Sequence, residues 1–487
     1  MSHQTMKTWY GLFVTILTIL IGTTAARCRA DESRPPNIIF LLADDLGWNG
    51  LGCYGSDLHP TPNLNRLAER GVRFTNAYSA CTVCSPTRAA VLSGKYPARL
   101  HLTDWIRGQN RPRARLKIPD WTMHLEHREV TVAEAVGPAG YATAHIGKWH
   151  LGNNEHSPET QGFDVNIGGT AAGSPPGGYF LPNRLDLPGA TEGDYLADRL
   201  TDEALQLITD WKSRPFFIYL AYYTVHTPIQ GKPELVEHYL NQLERAANPP
   251  TSVHINPTYA AMVHSLDESV GRITAKLNEL DLFQNTVVIF TSDNGGLSHR
   301  MGKPTGITRN NPLRRGKGAA YEGGVRVPLI VAGQNVNHRR ECAQPVTSVD
   351  FYRTILELTA ASGDAAHNRN VDGVSLVPLL RDETAELDRD SIFWHYPHYH
   401  AGGGSPYGAV RRGDWKLIEF YEDQHVELYN LADDISEQCN LAAYRPDLAD
   451  ALRDRLHGWR ADVGAQMPTS NPSFDPAQAV PRSRKKK

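Results

Sequence analysis

The chain has 487 residues, of which 40% are hydrophobic and 21% are charged, and its formal net charge is -3. These values are typical of a globular protein with a large core and more than one structural unit. The charge gives no support to nucleic-acid binding. The strongly basic run at residues 482–487 lies in a segment, residues 471–487, that we predict to be a disordered tail.

The N-terminus has the pattern of an export signal. Lys7 precedes an apolar run at residues 9–21, and small residues follow at 23–26, so we predict a signal peptide within residues 1–30. The apolar run is too short for a stable membrane span. The sequence contains no Asn-x-Ser/Thr acceptor with a permitted middle residue, which favours a bacterial periplasmic or secreted protein over a glycosylated eukaryotic one.

Export affects how the cysteines are interpreted. Cys53, Cys81, Cys342 and Cys439 remain in the exported chain once Cys84, discussed below, is set aside. In an oxidising compartment these four could form up to two disulfides, whose pairing the sequence leaves open. Buried free thiols are the alternative.

Strands and helices alternate along the first three quarters of the chain. In chain order, the hydrophobic patterns predict a strand at 37–43, a helix from Thr61 to Gly71, a helix starting at 130–136, a strand at 141–146, a helix at 195–211, a strand at 215–223, a helix at 257–280, strands at 286–291 and 325–331, and a helix at 348–359. This alternation predicts a mostly parallel sheet covered by helices on both faces. Ligands bind such sheets beyond the carboxyl ends of the strands.

The C-terminal part has a different pattern. Segments 391–396, 408–420 and 426–431 have alternating or aromatic character and predict strands, and residues 448–463 predict a helix. We therefore expect a large N-terminal domain at residues 35–365 and a smaller C-terminal subdomain at 366–470.

Acidic and amide side chains follow two of the predicted buried strands. Asp44 and Asp45 follow the first strand, and Asp293 and Asn294 follow the strand at 286–291. Hard oxygen ligands of this kind suit Ca²⁺ or Mg²⁺, and carboxylates packed together repel one another without a cation. The alternative is that each pair only caps a helix or a turn.

Cationic and imidazole side chains follow or flank the other core elements. Lys148 and His150 lie in the segment Gly-Lys-Trp-His after the strand at 141–146, His226 follows the strand at 215–223, and Lys317 lies in the segment Arg-Gly-Lys-Gly. Such a group can hold an oxyanion and protonate a leaving oxygen. Taken singly, each residue is more often a surface or satisfied core residue.

The segment Cys84-Ser85-Pro86-Thr87-Arg88 is the most specific motif. Taken alone, it also fits a cysteine before a helix with proline in its first turn. Together with the segments above, however, the chain resembles the formylglycine-dependent sulfatases of the arylsulfatase A type, in the alkaline-phosphatase-like superfamily. The resemblance covers about residues 35–465.

The resemblance implies that Cys84 is oxidised to formylglycine by a formylglycine-generating enzyme and that its hydrate is the nucleophile. It implies a Ca²⁺ site, with Mg²⁺ as the alternative, whose ligands are the oxygen of converted Cys84 and the side chains of Asp44, Asp45, Asp293 and Asn294. It also implies an alkaline-phosphatase-like α/β domain followed by a small antiparallel sheet with one helix.

The remaining roles follow from the same resemblance. Arg88 and Lys148 would hold the formylglycine oxygens, and Lys148 and Lys317 would contact the sulfate. His226, assisted by Lys317, would protonate the leaving alcohol. His150 would take the proton from the second hydroxyl so that sulfate is expelled, a step that a plain serine or cysteine ester could not perform.

Two further segments are candidates for substrate contact. One is the tract that contains His395, His398 and His400, and the other is the loop that contains Trp105 and the arginines after it. Aromatic and basic side chains of this kind suit a sulfated sugar. The resemblance implies a sugar of galactose or N-acetylgalactosamine type. A structural tract and a solvated loop are the alternatives. Ser174 is a weak sulfate-contact candidate that we leave out of the site.

These patterns predict a sulfatase that acts on a sulfated carbohydrate or an aryl sulfate. One alternative is a phosphomonoester or phosphonate hydrolase of the same superfamily, since the metal site and modified cysteine are shared. The other is a non-catalytic binder of sulfated glycans, which would follow if Cys84 were never converted.

Overall fold

The structure is a computed structural model that describes residues 34–475, except residues 110, 183, 186, 246, 247, 249, 252–254, 301 and 302. The predicted signal peptide and residues 476–487 of the predicted tail lie outside the described residues. No helix in the described part of the chain is long and apolar enough to cross a bilayer. Within the same part, Cys53, Cys81, Cys84, Cys342 and Cys439 are all unpaired.

The elements follow one another in the alternating order that the sequence predicts. The strands are β1 (Asn37–Ala43), β2 (Gly71–Phe74), β3 (Ala77–Tyr78), β4 (Leu116–Lys117), β5 (Ala142–Gly147), β6 (Val165–Ile167), β7 (Phe216–Ala221), β8 (Thr286–Ser292), β9 (His299–Arg300), β10 (Lys303–Pro304), β11 (Leu329–Gly333), β12 (Arg340–Cys342), β13 (Val346–Thr347), β14 (Ser391–Tyr396), β15 (Tyr407–Arg412), β16 (Trp415–Phe420), β17 (Val426–Asn430) and β18 (Thr469–Ser470). The helices are α1 (Pro62–Glu69), α2 (Cys84–Ser93), α3 (Pro97–Leu100), α4 (Val132–Val136), α5 (Leu196–Asp210), α6 (Pro233–Arg245), α7 (Pro257–Glu279), α8 (Glu322–Val325), α9 (Asp350–Thr359), α10 (Ala365–Asn368), α11 (Val377–Arg381) and α12 (Pro446–Asp462).

The central sheet has eight strands in the order β12-β2-β11-β8-β1-β7-β5-β6. The strands from β8 to β6 are parallel, and β11 runs antiparallel to both of its neighbours. The carboxyl ends of β1, β5, β7 and β8 therefore meet at one edge of the sheet, which is where the sequence places its polar residues.

Helices cover both faces of this sheet, as β1 illustrates. Ile39, Leu41 and Ala43 belong to one buried cluster with α5 and α7, while Ile38, Phe40 and Leu42 belong to a second cluster with α2, α4 and α9. All seven side chains of β1 are buried, which explains its unbroken apolar sequence. Each large apolar side chain buried in this way contributes about 1.5–3 kcal/mol.

A second sheet, β14-β15-β16-β17, is antiparallel and carries α12. Leu452 and Leu456 of α12 pack on Leu417 and Leu428 of the sheet, in a cluster that also contains Ala90 of α2. The C-terminal sheet and its helix therefore brace the helix that begins at Cys84. The predicted fold class, a mostly parallel sheet between helices plus a small antiparallel sheet with one helix, is confirmed.

Several predicted boundaries were wrong. The predicted strand at 325–331 begins only at Leu329, because Pro328 precedes it and residues 322–325 form α8. The predicted strand at 408–420 is the hairpin β15–β16, with Gly413 at φ 56° in its turn. The helix predicted to begin at Thr61 begins at Pro62; Thr61 precedes it with φ 40° and makes no capping bond, and its hydroxyl accepts from Gly52 N at 2.8 Å.

Candidate active site

The loops that follow four parallel strands are held together by main-chain hydrogen bonds that extend the sheet. Asp44 N donates to Thr224 O at 2.9 Å, and Asp293 N donates to Ala43 O at 3.1 Å. Lys148 N likewise donates to Ala221 O at 2.7 Å. These bonds bring polar residues from the ends of β1, β5, β7 and β8 to one buried point.

The acidic residues at this point are packed tightly. Asn294 Nδ2 donates to Asp45 Oδ1 at 2.7 Å, and Asp45 N donates to Asp293 Oδ1 at 3.2 Å. Asp44, Asp45 and His226 each offer a ligand atom within 4.8 Å of the others. Asp45 has φ 61°, a conformation that costs free energy and is most often kept at functional sites.

Three oxygens in this group have no hydrogen-bond partner among the described residues: Asp44 Oδ1, Asp45 Oδ2 and Asn294 Oδ1. A buried carboxylate oxygen without a partner is costly. Burial and the charge of Asp293 raise the pKa of Asp44 well above its usual value. A divalent cation among these oxygens would satisfy them and oppose that repulsion, so the donor set fits a hard cation such as Ca²⁺ or Mg²⁺.

Lysine and arginine side chains hold the other oxygens. Lys148 Nζ donates to Asp44 Oδ2 at 2.6 Å, and Lys317 Nζ donates to Asp45 Oδ1 at 2.6 Å. Arg88 donates from Nε and Nη2 to Asp293 Oδ2 at 3.0 and 2.8 Å. Burial opposes ionisation of Asp45, but the charge of Lys317 and the hydrogen bonds from Lys317 and Asn294 outweigh it and hold the pKa of Asp45 below its usual range.

Arg88 has a second contact in this group. Its Nη1 donates to the carbonyl of Lys148 at 2.9 Å. Arg88 is completely buried. In the described contacts the guanidinium therefore positions Asp293 and Lys148, rather than residue 84.

Cys84 is the first residue of α2, whose ten residues are all buried. Its Sγ lies 3.4 Å from His150 Nδ1. The first-turn N–H groups of a helix favour negative charge nearby, so an oxygen carried by residue 84 would sit at a favourable position. His150 itself has φ 58°.

The contacts of His150 determine which ring nitrogen carries the proton. Its Nε2 makes a short hydrogen bond to the carbonyl oxygen of Ile106, and a carbonyl can only accept. Burial and the charge of Lys148 hold the pKa of His150 well below its usual value, so the ring is neutral. Nδ1 therefore presents a lone pair to residue 84, which is the state required of a base.

His226 faces the same group from the end of β7. Its Nδ1 donates to Thr227 O at 2.7 Å, and its Nε2 lies 3.8 Å from Asp45 Oδ2. Burial and Lys317 lower the pKa of His226 to about 3. The ring is therefore neutral, with Nε2 directed to the acidic group.

A cavity of about 310 Å³ opens above residue 84. Its lining comprises Asp45, Cys84, Trp105, Ile106, Gln109, His150, Gly173, Ser174, His226, Thr227, Leu297, Arg300, Lys317, His400, Ala401 and Gly402. Of the residues predicted to contact the substrate, Trp105 and His400 line this cavity. Larger cavities elsewhere lack this set of reactive groups.

Two of the predicted substrate residues lie outside this lining. His395 bonds Tyr421 OH at 2.7 Å and Gln466 O at 2.9 Å through its two ring nitrogens. His398 is buried against Trp121 and bonds Thr103 Oγ1 at 2.8 Å. In the described structure these contacts give both histidines a role in packing.

Sequence reasoning missed several residues of the cavity. Ser174, left out as a weak candidate, lines it, as do Gln109 and Arg300. Ser174 lies in a loop with little regular structure, so periodicity gave no signal for it. The Ile106 carbonyl was also missed, because a main-chain acceptor leaves no trace in residue type.

Comparison with known proteins defines the class of protein that carries this fold and site. The profile of the sulfatase family matches residues 36–361, and that of the N-sulphoglucosamine sulphohydrolase C-terminal region matches residues 316–462. The chain belongs to the sulfatase family, and it is a sulfuric ester hydrolase.

Particular relatives resemble the chain over much of its length. Human arylsulfatase A is 32% identical over 92% of this chain and 91% of its own, and N-acetylgalactosamine-6-sulfatase of Canis lupus familiaris is 30% identical over 74% and 69%. The solved structure of Ps i-CgsB in complex with k-i-k-neocarrahexaose has a TM-score of 0.73 and 28% identity, covering 91% of this chain and 95% of that one. The predicted resemblance to the sulfatases is confirmed.

Proposed function

We propose that this protein hydrolyses a sulfate monoester of a carbohydrate of galactose or N-acetylgalactosamine type, using residue 84 after its oxidation to formylglycine. The observation that carries the proposal is the meeting of Cys84, the unprotonated Nδ1 of His150 and the partnerless oxygens of Asp44, Asp45 and Asn294 at the floor of one cavity. The roles of individual residues below belong to the same proposal.

Asp44, Asp45, Asp293 and Asn294 would hold the cation, Ca²⁺ or alternatively Mg²⁺. Asp293 is the least available of the four, since Arg88 occupies its Oδ2 and Asp45 N contacts its Oδ1. When bound, the cation supplies Lewis acidity, and hydrated formylglycine at position 84 supplies the attacking hydroxyl.

The protein's own side chains would do the remaining work. Lys148 and Lys317 project ammonium groups into the floor and would neutralise the sulfate oxygens. His150 would accept a proton at Nδ1 from residue 84, while the Ile106 carbonyl holds the proton on Nε2. His226, assisted by Lys317, would protonate the departing alcohol oxygen; because Nε2 of the neutral ring carries no proton, the ammonium of Lys317 would supply it.

The substrate class is supported by the cavity wall and by the relatives. Trp105 offers an aromatic face to a sugar, and Gln109, Ser174 and His400 offer polar groups. One similar sulfatase is named for N-acetylgalactosamine 6-sulfate, and one similar structure holds a neocarrahexaose. An aryl sulfate would also reach the floor.

We also propose that the chain is exported to a bacterial periplasm or secreted, and that a formylglycine-generating enzyme matures it. The apolar N-terminal run with small residues after it supports export. The Cys-x-Pro-x-Arg pattern at residues 84–88 supports maturation. We assign residues 35–365 to the catalytic domain and 366–470 to the C-terminal subdomain.

Sulfate release from 4-sulfated and 6-sulfated galactose and N-acetylgalactosamine tests the proposal. The protein would be co-expressed with a formylglycine-generating enzyme, and a peptide mass would report conversion of Cys84. We expect release from at least one sugar, abolished in Cys84→Ala. A converted protein that releases no sulfate from any of them would contradict the galactose-type assignment.

The phosphoester alternative is tested in the same assay by comparing 4-nitrophenyl sulfate with 4-nitrophenyl phosphate. We expect sulfate to be the better substrate. If Cys84 remains a cysteine and neither ester is cleaved, the chain would be a binder rather than an enzyme.

A further inference from the structure

The positive and negative side chains at the floor of the cavity are equal in number, so no charge at the mouth of the cavity is needed to balance them. Three carboxylates, those of Asp44, Asp45 and Asp293, face three cations, those of Arg88, Lys148 and Lys317. A divalent cation would therefore leave the floor with the positive charge needed for one sulfate group.

The mouth of the cavity carries additional positive charge. Arg300, at the end of β9, lines the cavity, is exposed, and forms no ion pair with an acid among the described residues. Asp45 at the floor is the only acid among the described residues that line the cavity. No described residue of the lining neutralises the guanidinium of Arg300.

A second guanidinium lies beside the same mouth. Arg111 Nη2 is 3.5 Å from Oε1 of Gln109, a lining residue, and its Cζ is 5.9 Å from the ring centre of Tyr399. Burial and Lys317 lower the pKa of His400, also a lining residue, and the charge of Arg111 adds to that shift. Arg111 is therefore close enough to act electrostatically on the cavity wall.

The positive charge of Arg111 is partly offset. Glu422 accepts the hydroxyl hydrogen of Tyr399 at 2.8 Å, and both Glu422 and Arg111 act on that phenol. No ion pair joins Arg111 to a described acid. Arg300 is therefore the principal cation of the mouth, and Arg111 is the secondary one.

We propose that Arg300, with Arg111, forms a second anion subsite at the mouth of the cavity, which binds another sulfate group on the sugar next to the one being hydrolysed. This inference rests on the proposed function, since it assumes a sulfated carbohydrate in the cavity. Guanidinium groups bind sulfate oxygens in a two-pronged geometry. The preferred substrate is then an oligosaccharide with at least two sulfates rather than a monosulfated sugar.

Binding to the Cys84→Ala variant tests the subsite without turnover. The probes are galactobiose with one sulfate and galactobiose with one sulfate on each sugar, measured by calorimetry in the presence of Ca²⁺. We expect the second sulfate to strengthen binding about tenfold, since two partly exposed charged contacts act together. Raising the salt concentration should reduce that preference, because exposed charges are screened.

Replacing individual arginines in the Cys84→Ala protein shows which residues cause the preference for the disulfated sugar. In Arg300→Gln the preference should fall to about threefold, and in the Arg300→Gln/Arg111→Gln double variant it should disappear. Arg300→Lys should keep part of it, because the charge remains and the fork is lost. Arg369→Gln, which alters an exposed arginine outside the cavity lining, should keep the full preference.

The outcomes separate the subsite from the proposed function. Equal affinity for both sugars, or a preference that survives in the double variant, would overturn the subsite. Hydrolysis of 4-nitrophenyl sulfate by the converted wild-type protein reports the proposed function independently, because this ester carries no second sulfate. If that hydrolysis is absent while the preference persists, the subsite stands and the enzyme assignment falls.

Discussion

Two deeply buried groups of charged side chains in the described part of the chain differ in how their carboxylate oxygens are satisfied. In the first, at the floor of the cavity, Asp44 Oδ1 and Asp45 Oδ2 have no hydrogen-bond partner among the residues that the structure describes. In the second, between α8 and the C-terminal sheet, Lys416 Nζ bridges Glu322 Oε1 at 2.9 Å and Glu437 Oε1 at 3.0 Å. We call the second group the Lys416 cluster.

Every carboxylate oxygen of the Lys416 cluster is occupied. Glu322 Oε2 accepts from Tyr78 OH and Arg326 Nε, each at 2.7 Å, and Glu437 Oε2 accepts from Glu322 N at 2.7 Å. Buried charge alone therefore does not mark a functional site in this protein. At the cavity floor, by contrast, several buried carboxylates together leave oxygens without a partner, and a bound cation would offset the cost of those oxygens.

Removing a ligand from the cavity floor should have the largest effect. Asp45→Asn takes away one negative charge and one of the partnerless oxygens, so we expect kcat/KM for 4-nitrophenyl sulfate to fall a thousandfold or more, equivalent to about 4 kcal/mol. Kinetics on protein with residue 84 shown to be converted by mass would check this. A loss below about tenfold would mean that Asp45 holds no cation.

Breaking the Lys416 cluster should affect stability rather than chemistry. Lys416→Met leaves Glu322 and Glu437 without their shared cation, and we expect the free energy of unfolding to fall by about 3 kcal/mol. Urea denaturation would measure the loss. The kcat of the folded fraction should stay within about twofold of wild type. A large fall in kcat would contradict the claim that the Lys416 cluster stabilises the fold without taking part in catalysis.

The Lys416 cluster also predicts a dependence of stability on pH. Burial is the largest cause that raises the pKa of Glu437, to about 7. Burial also opposes ionisation of Glu322, but Lys416 and Arg326 outweigh it and lower the pKa of Glu322 to about 2. A carboxyl whose folded pKa is raised stabilises the protein at low pH and loses that contribution as pH rises toward the folded pKa. The wild type should therefore lose roughly 3 kcal/mol from this group between about pH 4.5 and 7.

Glu437→Gln should remove that part of the slope. Unfolding free energies at pH 5 and pH 8 would be compared for the two proteins. The difference between the two pH values is the readout, since glutamine also changes the absolute stability. An unchanged slope in Glu437→Gln would show that another group is responsible.

The smallest predicted effect concerns the main chain that orients His150. Ile106 N donates to Ser85 Oγ at 3.2 Å, and the Ile106 carbonyl bonds His150. Ser85→Ala loosens that segment and should lower kcat about fivefold, the value of one hydrogen bond, with KM nearly unchanged. Ser85→Thr, which restores a hydroxyl, should recover most of the loss; equal kcat in all three proteins would argue against this role.

The sequence predicted the floor of the site better than its walls. Asp44, Asp45, Asp293 and Asn294 were found because they follow strands buried on both faces, and parallel strands end at one edge. His395 and His398 share a tract with His400, yet only His400 lines the cavity. His395 lies in β14, which ends at Tyr396, whereas His398 and His400 follow the strand. Composition alone does not reveal which of these side chains faces the cavity.

The partnerless oxygens themselves were not predictable from sequence. They are the oxygens that Lys148, Lys317 and Arg88 leave without a hydrogen bond. Which oxygens these are depends on how the loop after β5, the segment before α8 and helix α2 pack together. The same is true of the Ile106 carbonyl, whose position follows from tertiary contacts. Motifs identified the residues, whereas the state of each atom required the fold.

Calcium binding by the wild-type protein, Asp45→Asn and Lys416→Met, measured by calorimetry after chelator treatment, tests the central claim most directly. We predict that one Ca²⁺ binds wild type and Lys416→Met with similar affinity, and that Asp45→Asn loses this binding. The wild type should also unfold at a higher temperature with Ca²⁺, by mass action. If Asp45→Asn binds Ca²⁺ as tightly as wild type, the partnerless oxygens at the cavity floor are not the cation site.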